Sequence, residues 1–176
     1  LDFGCNVILM GRGSKIINKT QEYASIYGES RVSYKLVDFY EDERFQDALG
    51  EIVSEHEVDI LINNAYEFGP NTGFGSDGRL DTIPKQKFMR SLESGVWWPL
   101  QATQVIGEQM KDRKTGSIIN ISSMYGIVSP SPHLYEGTIS FNPASYGAAK
   151  AALVHLTKYT ATWLGEHGVR CNAIAP

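Results

Sequence analysis

Residues 116–126 read GSIINISSMYG: a run of strand length, Ser117 to Ile121, then two adjacent hydroxyls, Ser122 and Ser123, and soon a glycine, Gly126. The run is mostly apolar without alternation, the pattern of a strand covered on both faces. Four other runs share this character: Val7 to Met10, Tyr34 to Val37, Asp59 to Ile62 and Val169 to Ile174. Helical patterns lie between them. Phe45, Ala48, Leu49, Ile52 and Val53 fall at i, i+3, i+4, i+7 and i+8, one apolar stripe on a helix. Pro84 to Met110 holds a longer helical pattern broken around Gly95 to Pro99, where Pro99 predicts a bend or a second start. Asn142 before Pro143 predicts an N-cap with proline in the first turn, on a helix running through Trp163 to a C-terminal Gly168. Gly69 to Gly78 carries four glycines and a proline and reads as a loop, a candidate rim for an active site. Strands that alternate with helices predict an α/β fold around a parallel sheet.

Composition fits this reading. A chain of 176 residues, 42% hydrophobic and 20% charged, has the make-up of one globular domain. The net charge of −4, with no block of Lys or Arg, argues against nucleic acid and anionic membranes and for a small-molecule substrate. Two cysteines, Cys5 and Cys171, build no disulfide framework, and no apolar run is long enough to span a bilayer, so the expected setting is the cytoplasm. His56, His133, His155 and His167 are scattered, and neither cysteine has a partner at metal-binding spacing, so no metal site is expected.

Chemistry enters with Tyr146 and Lys150, four residues apart on one face of the capped helix. A tyrosine with a pKa near 10 is a poor acid or base at neutral pH, and a neighbouring ammonium favours its phenolate. Ser122 and Ser123 stand at the carboxyl end of their strand, the side of an open parallel sheet where ligands bind. Asn63, Asn64 and Ala65 follow the strand ending at Ile62 on that same edge. Taken singly, the serines and asparagines also suit ordinary turns.

The set Asn63-Asn64-Ala65, residues 116–123 (GSIINISS), Tyr146 to Lys150 (YGAAK) and residues 170–176 (RCNAIAP), in that order, resembles the short-chain dehydrogenase/reductase (SDR) family across nearly the whole chain. The resemblance implies a Rossmann-type, doubly wound parallel sheet with helices on both faces, and a nicotinamide cofactor exchanging hydride with a carbonyl or alcohol carbon. It makes Tyr146 the general acid/base, Lys150 its tuning partner and ribose ligand, and Ser123 the hydrogen-bond donor to the substrate oxygen. Ser123 is preferred to Ser122 because two residues and then Gly126 follow it. Asp38 matches a contact to the adenine, and Asn63, Asn64, Ala65 and Pro176 also fall at cofactor-binding positions. Arg12, after the strand ending at Met10, stands where an acid selects NAD and a cation suits NADP, so NADP is expected over NAD. Trp97, Trp98 and Trp163 lie on the two helices by which family members pair, which implies a homodimer or homotetramer.

The chain also departs from the family pattern. The family's glycine-rich turn after the first strand does not occur in this sequence, and Gly11-Arg12-Gly13 follows what resembles the second strand, so one incomplete SDR domain, a fragment of a longer chain, is expected. Gly95 stands where the family usually places an asparagine, Tyr66 stands where glycine is common, and 23 positions separate Ser123 from Tyr146. The insertion, Ile127 to Ser140, is read as a substrate-recognition loop. Its Leu134 to Gly137 stretch resembles members found in bacterial surface-sugar or flagellin-glycan pathways, which implies a polar, sugar-like substrate. A 3-oxoacyl carrier-protein reductase and an idle dinucleotide-binding member are the alternatives.

Overall fold

The computed structural model describes residues 2–138 and 141–176 and divides into two compact units, 1–52 and 53–176. The first unit holds β1 (Val7–Gly11), α1 (Ser14–Tyr27), β2 (Val32–Leu36) and most of α2 (Asp42–Glu55). β1 and β2 pair in parallel, from Val7 opposite Val32 to Gly11 opposite Leu36, with α1 as the crossover. Apolar periodicity does not mark α1, because the one residue it buries is Thr20. In α2 the predicted stripe is real: Phe45, Leu49 and Ile52 are buried, and Phe45 stacks on Phe39 with centroids 4.2 Å apart.

The second unit holds β3 (Ile60–Asn63), α3 (Lys85–Leu92), α4 (Trp98–Arg113), β4 (Gly116–Ile121), α5 (Ala144–Gly165) and β5 (Val169–Ile174). The sheet order is β3-β4-β5, parallel throughout, with Ile62 opposite Ile119 and Ile119 opposite Asn172. This is the expected α/β, Rossmann-like architecture, and all five strands lie where the apolar runs place them. Double-sided burial is correct for β4, where Ile118 is fully buried, but not for β3, where Ile60 and Ile62 are 51% and 58% exposed. Ile60 and Ile62 are two residues apart and so share one face of β3, and it is this face that the described elements leave without a covering layer.

The break in the long helical pattern is a π turn, Glu93–Trp97, which joins α3 to α4 and leaves Pro99 in the first turn of α4, where a missing N–H costs least. The predicted cap of α5 needs correction. Pro143 itself takes the N-cap position, with φ −69° and ψ 146°, and the Oδ1 of Asn142 is buried without a hydrogen-bond partner among the described residues. The helix stops at Gly165 rather than Gly168, whose positive φ of 75° instead turns the chain into β5. Of the predicted interface tryptophans, Trp98 lies in the core at 6% exposed, whereas Trp97 and Trp163 are exposed. No described helix is long and apolar enough to cross a membrane, and no group of three or more metal-ligating side chains occurs among the described residues.

Candidate active site

The end of β4 and the start of α5 are locked together. Ser122 donates its Oγ hydrogen to the carbonyl of Lys150 (2.9 Å), and its backbone N–H donates to Ile174 O (2.7 Å). Gly126 lies against the backbone of α5: a Cβ there would sit 2.7 Å from the Lys150 carbonyl carbon, so the turn after the serines closes only on a glycine. Ser123 caps that turn, its Oγ accepting from the N–H of Tyr125 (3.2 Å). The hydroxyl hydrogen of Ser123 is left to donate, whereas that of Ser122 is taken. Met124 N–H donates to Pro176 O at 2.8 Å, so the end of the chain past β5 reaches the same corner.

Lys150 is 5% exposed and donates to Ile121 O (2.7 Å) at the end of β4. Burial lowers its pKa from 10.5 to about 8, so the ammonium is still the main form at neutral pH. Its Nζ stands 5.7 Å from the ring centroid of Tyr146 and 5.1 Å from that of Tyr66. An ammonium carries three donors; two of these have no hydrogen-bond partner among the described residues, and a diol such as a nicotinamide ribose would satisfy them.

Tyr66 shapes this corner. Its hydroxyl shares a 2.6 Å hydrogen bond with Ser91 Oγ, fully buried on α3, and burial raises the phenol's pKa. Its ring meets Tyr146 edge-on at 5.3 Å between centroids. The expected relay position, Gly95, lies in the π turn facing Tyr66 and Ala149. Two more rings reach Tyr146 from the 67–78 segment: Phe74 at 5.5 Å and Phe68 at 6.1 Å, both steeply inclined to it.

The asparagines divide. Asn64 and Ala65 are exposed at the end of β3, open to a ligand. Asn63 instead donates to Asn120 Oδ1 (2.8 Å), and Asn120 donates to Thr157 Oγ1 (2.8 Å) inside the unit. This chain of amides ties β3 to β4 and α5. Asn120, 2% exposed, was signalled by one polar residue inside the apolar run of β4. In the first unit, Arg12 and Asp38 line one concavity of about 440 Å³ and pair at 3.2 Å, and the Arg12 guanidinium lies 5.8 Å from the ring centroid of Tyr40. Tyr135 of the insertion meets Tyr125, in the turn after β4, hydroxyl to hydroxyl at 3.3 Å, a bond that pushes Tyr135 up to about 12; Ile139 and Ser140, the last residues of the insertion, lie outside the described residues.

The whole chain, residues 1–176, matches the model of the short chain dehydrogenase family. The chain belongs to that family. Among its relatives, 7alpha-hydroxysteroid dehydrogenase of Bacteroides fragilis is 31% identical over 68% of this chain and 41% of its own length. A second, 2-dehydro-3-deoxy-D-gluconate 5-dehydrogenase of Bacillus subtilis, is 30% identical over 96% of this chain and 62% of its own. The chain therefore spans about half the length of these family members. A crystal structure of NAD+-bound xylitol dehydrogenase overlays with a TM-score of 0.83 at 23% identity, covering 99% of this chain and 61% of that one, and so shares the family fold.

Proposed function

We propose that the protein is an NAD(P)-dependent oxidoreductase that interconverts a carbonyl and an alcohol on a small-molecule substrate, with Tyr146 as general acid/base. The observation that carries this reading is the buried Lys150 ammonium beside Tyr146, with donors to spare. When bound, the dinucleotide supplies the hydride. Reduction builds negative charge on the substrate oxygen; the Ser123 hydroxyl donates a hydrogen bond to it, and Tyr146 delivers the proton. In oxidation Tyr146 takes that proton back, with the Lys150 ammonium 5.7 Å from the centre of its ring. Lys150, Asn64, Ala65 and Pro176 are assigned to the cofactor in the second unit, with Asn63 placing them through Asn120. Arg12 and Asp38 are assigned to the adenosine end in the first unit. Because the cation at Arg12 stands where an acid would select NAD, NADP is the preferred form.

The relatives' names divide between a hydroxysteroid and a sugar acid, so the reaction class is their common ground. A carrier-protein reductase would use the same three catalytic residues. The polar, sugar-like substrate rests on Leu134 to Gly137 alone. A homodimer or homotetramer is assigned to the face carrying Tyr159 and Trp163, whose exposed rings stack 6.3 Å apart on α5. The cytoplasm, which would keep the free Cys5 and Cys171 reduced, is the assigned setting.

Fluorescence titration with NADPH and NADH, followed by turnover on a carbonyl panel, tests the reading. NADPH should bind tighter than NADH, and Tyr146→Phe should lose on the order of a hundredfold or more in kcat with cofactor binding retained. Full activity in Tyr146→Phe would sink the role assignment, and failure to bind either nucleotide would sink the enzyme.

A further inference from the structure

The 67–78 segment is not a slack rim. Glu67, only 11% exposed in its side chain, pairs with Arg90 of α3 at 2.7 Å, and Asp77 pairs with Lys87 of the same helix at 2.6 Å. Thr72, fully buried, donates its hydroxyl to Glu67 O (2.6 Å), and its own carbonyl accepts from Ser145 Oγ at 2.9 Å. Ser145 immediately precedes Tyr146, so the loop is fastened to the helix turn that carries the phenol. Between these clamps the segment presents two phenylalanines. Phe68 and Phe74 stack on each other at 3.9 Å between centroids, and both meet Tyr146 at steep angles, 76° and 71°. Phe68 is nonetheless 69% exposed. A rigid loop that holds a bare aromatic face beside an acid/base phenol keeps apolar surface in water, a cost that a ligand stacking there would offset.

We propose that Phe68 and Phe74 form a fixed aromatic wall flanking Tyr146, and that the substrate carbonyl is borne on a flat apolar skeleton, aromatic or fused alicyclic, that packs on this wall. The inference rests on the oxidoreductase reading for the chemistry at the carbonyl, but the wall binds its ligand independently of turnover. A polyol chain has hydroxyls to keep hydrated and gains nothing from the Phe68 face, whereas a fused ring buries its surface on it.

The probes are 1-tetralone against dihydroxyacetone for turnover with NADPH, and 2-naphthol, which cannot be reduced, for binding by calorimetry. The variants are Phe68→Ala and Phe68→Leu; the exposure of Phe68 keeps them folded, and far-UV circular dichroism checks that they are. The wild type is expected to prefer 1-tetralone in kcat/KM. Phe68→Ala should lower the tetralone-to-dihydroxyacetone ratio about tenfold, mainly through KM, and weaken 2-naphthol binding to a similar degree, with Phe68→Leu between. A preference for dihydroxyacetone, an unchanged ratio, or 2-naphthol binding indifferent to Phe68→Ala would overturn the wall. Tight 2-naphthol binding lost in Phe68→Ala, without turnover of any carbonyl, would keep the wall and overturn the oxidoreductase reading.

Discussion

Gly95 and Tyr66 share one volume: a Cβ built on Gly95 would stand 3.2 Å from Cε2 of the Tyr66 ring and 2.8 Å from the Cβ of Ala149. The absence of a side chain in the π turn and the presence of a ring after β3 are therefore one feature, and an asparagine at 95 would displace that ring. Gly95→Ala is expected to cost about 1–3 kcal/mol by overpacking, and Gly95→Asn more. Tyr66→Gly alone opens a cavity, but combined with Gly95→Asn it should cost clearly less than the sum of the two. Urea unfolding of the four proteins checks this, and strict additivity would refute the shared volume.

This pairing marks where sequence reading reaches its end. Apolar runs of strand length located every strand, because a run of such residues is a local feature of the chain, and spacing alone put Tyr146 and Lys150 on one helical face. The residues that complete the corner lie far apart in sequence. Nothing near Tyr66 announces that its hydroxyl ends on Ser91, or that its ring fills the space at Gly95; only the tertiary fold joins them. Asn63 shows the converse. Its place at the end of β3 suits a ligand contact, yet its amide turns inward to Asn120. The break at Gly95 was legible, but proline was the visible cause, whereas the irregularity is a π turn that begins before Pro99.

Ser122 and Ser123 are neighbours with different duties, and their alanine variants should separate. Ser122→Ala removes a buried bond to the Lys150 carbonyl and should cost about 1–2 kcal/mol of stability. Ser123→Ala should leave stability within about 1 kcal/mol, the worth of a cap, while kcat falls by on the order of a hundredfold. Chemical unfolding beside steady-state kinetics tests the pair; a larger kcat loss in Ser122→Ala would exchange the assignments.

Lys150 should leave a trace in the pH dependence of stability. Burial lowers its pKa to about 8 in the fold against 10.5 unfolded, so between those values the unfolded chain binds more protons and stability rises with pH. The burial cost is fully present below about 8 and is relieved as pH approaches 10.5, a swing of at most about 3 kcal/mol. Lys150→Met lacks the group, so the wild type should gain on the variant between pH 7.5 and 10. Parallel curves in urea unfolding across that range would show an unperturbed lysine.

The Glu67–Arg90 pair should govern the loop more than the domain. Arg90→Met takes the guanidinium from a largely buried carboxylate, which costs about 1–3 kcal/mol when the partner is half-open to water, as Arg90 is at 34% exposed. That cost falls on a segment fastened at Thr72 and Asp77 as well, so opening is confined to the loop rather than spread through the sheet. Cleavage within residues 69–78 in limited proteolysis should accelerate several-fold, with the global unfolding midpoint little changed. Adding Glu67→Gln removes the stranded charge and should recover part of the protection, because a neutral amide needs no counter-ion. Unaltered cleavage in Arg90→Met would mean that the hydroxyl clamps at Thr72 and Ser145 hold the aromatic segment by themselves.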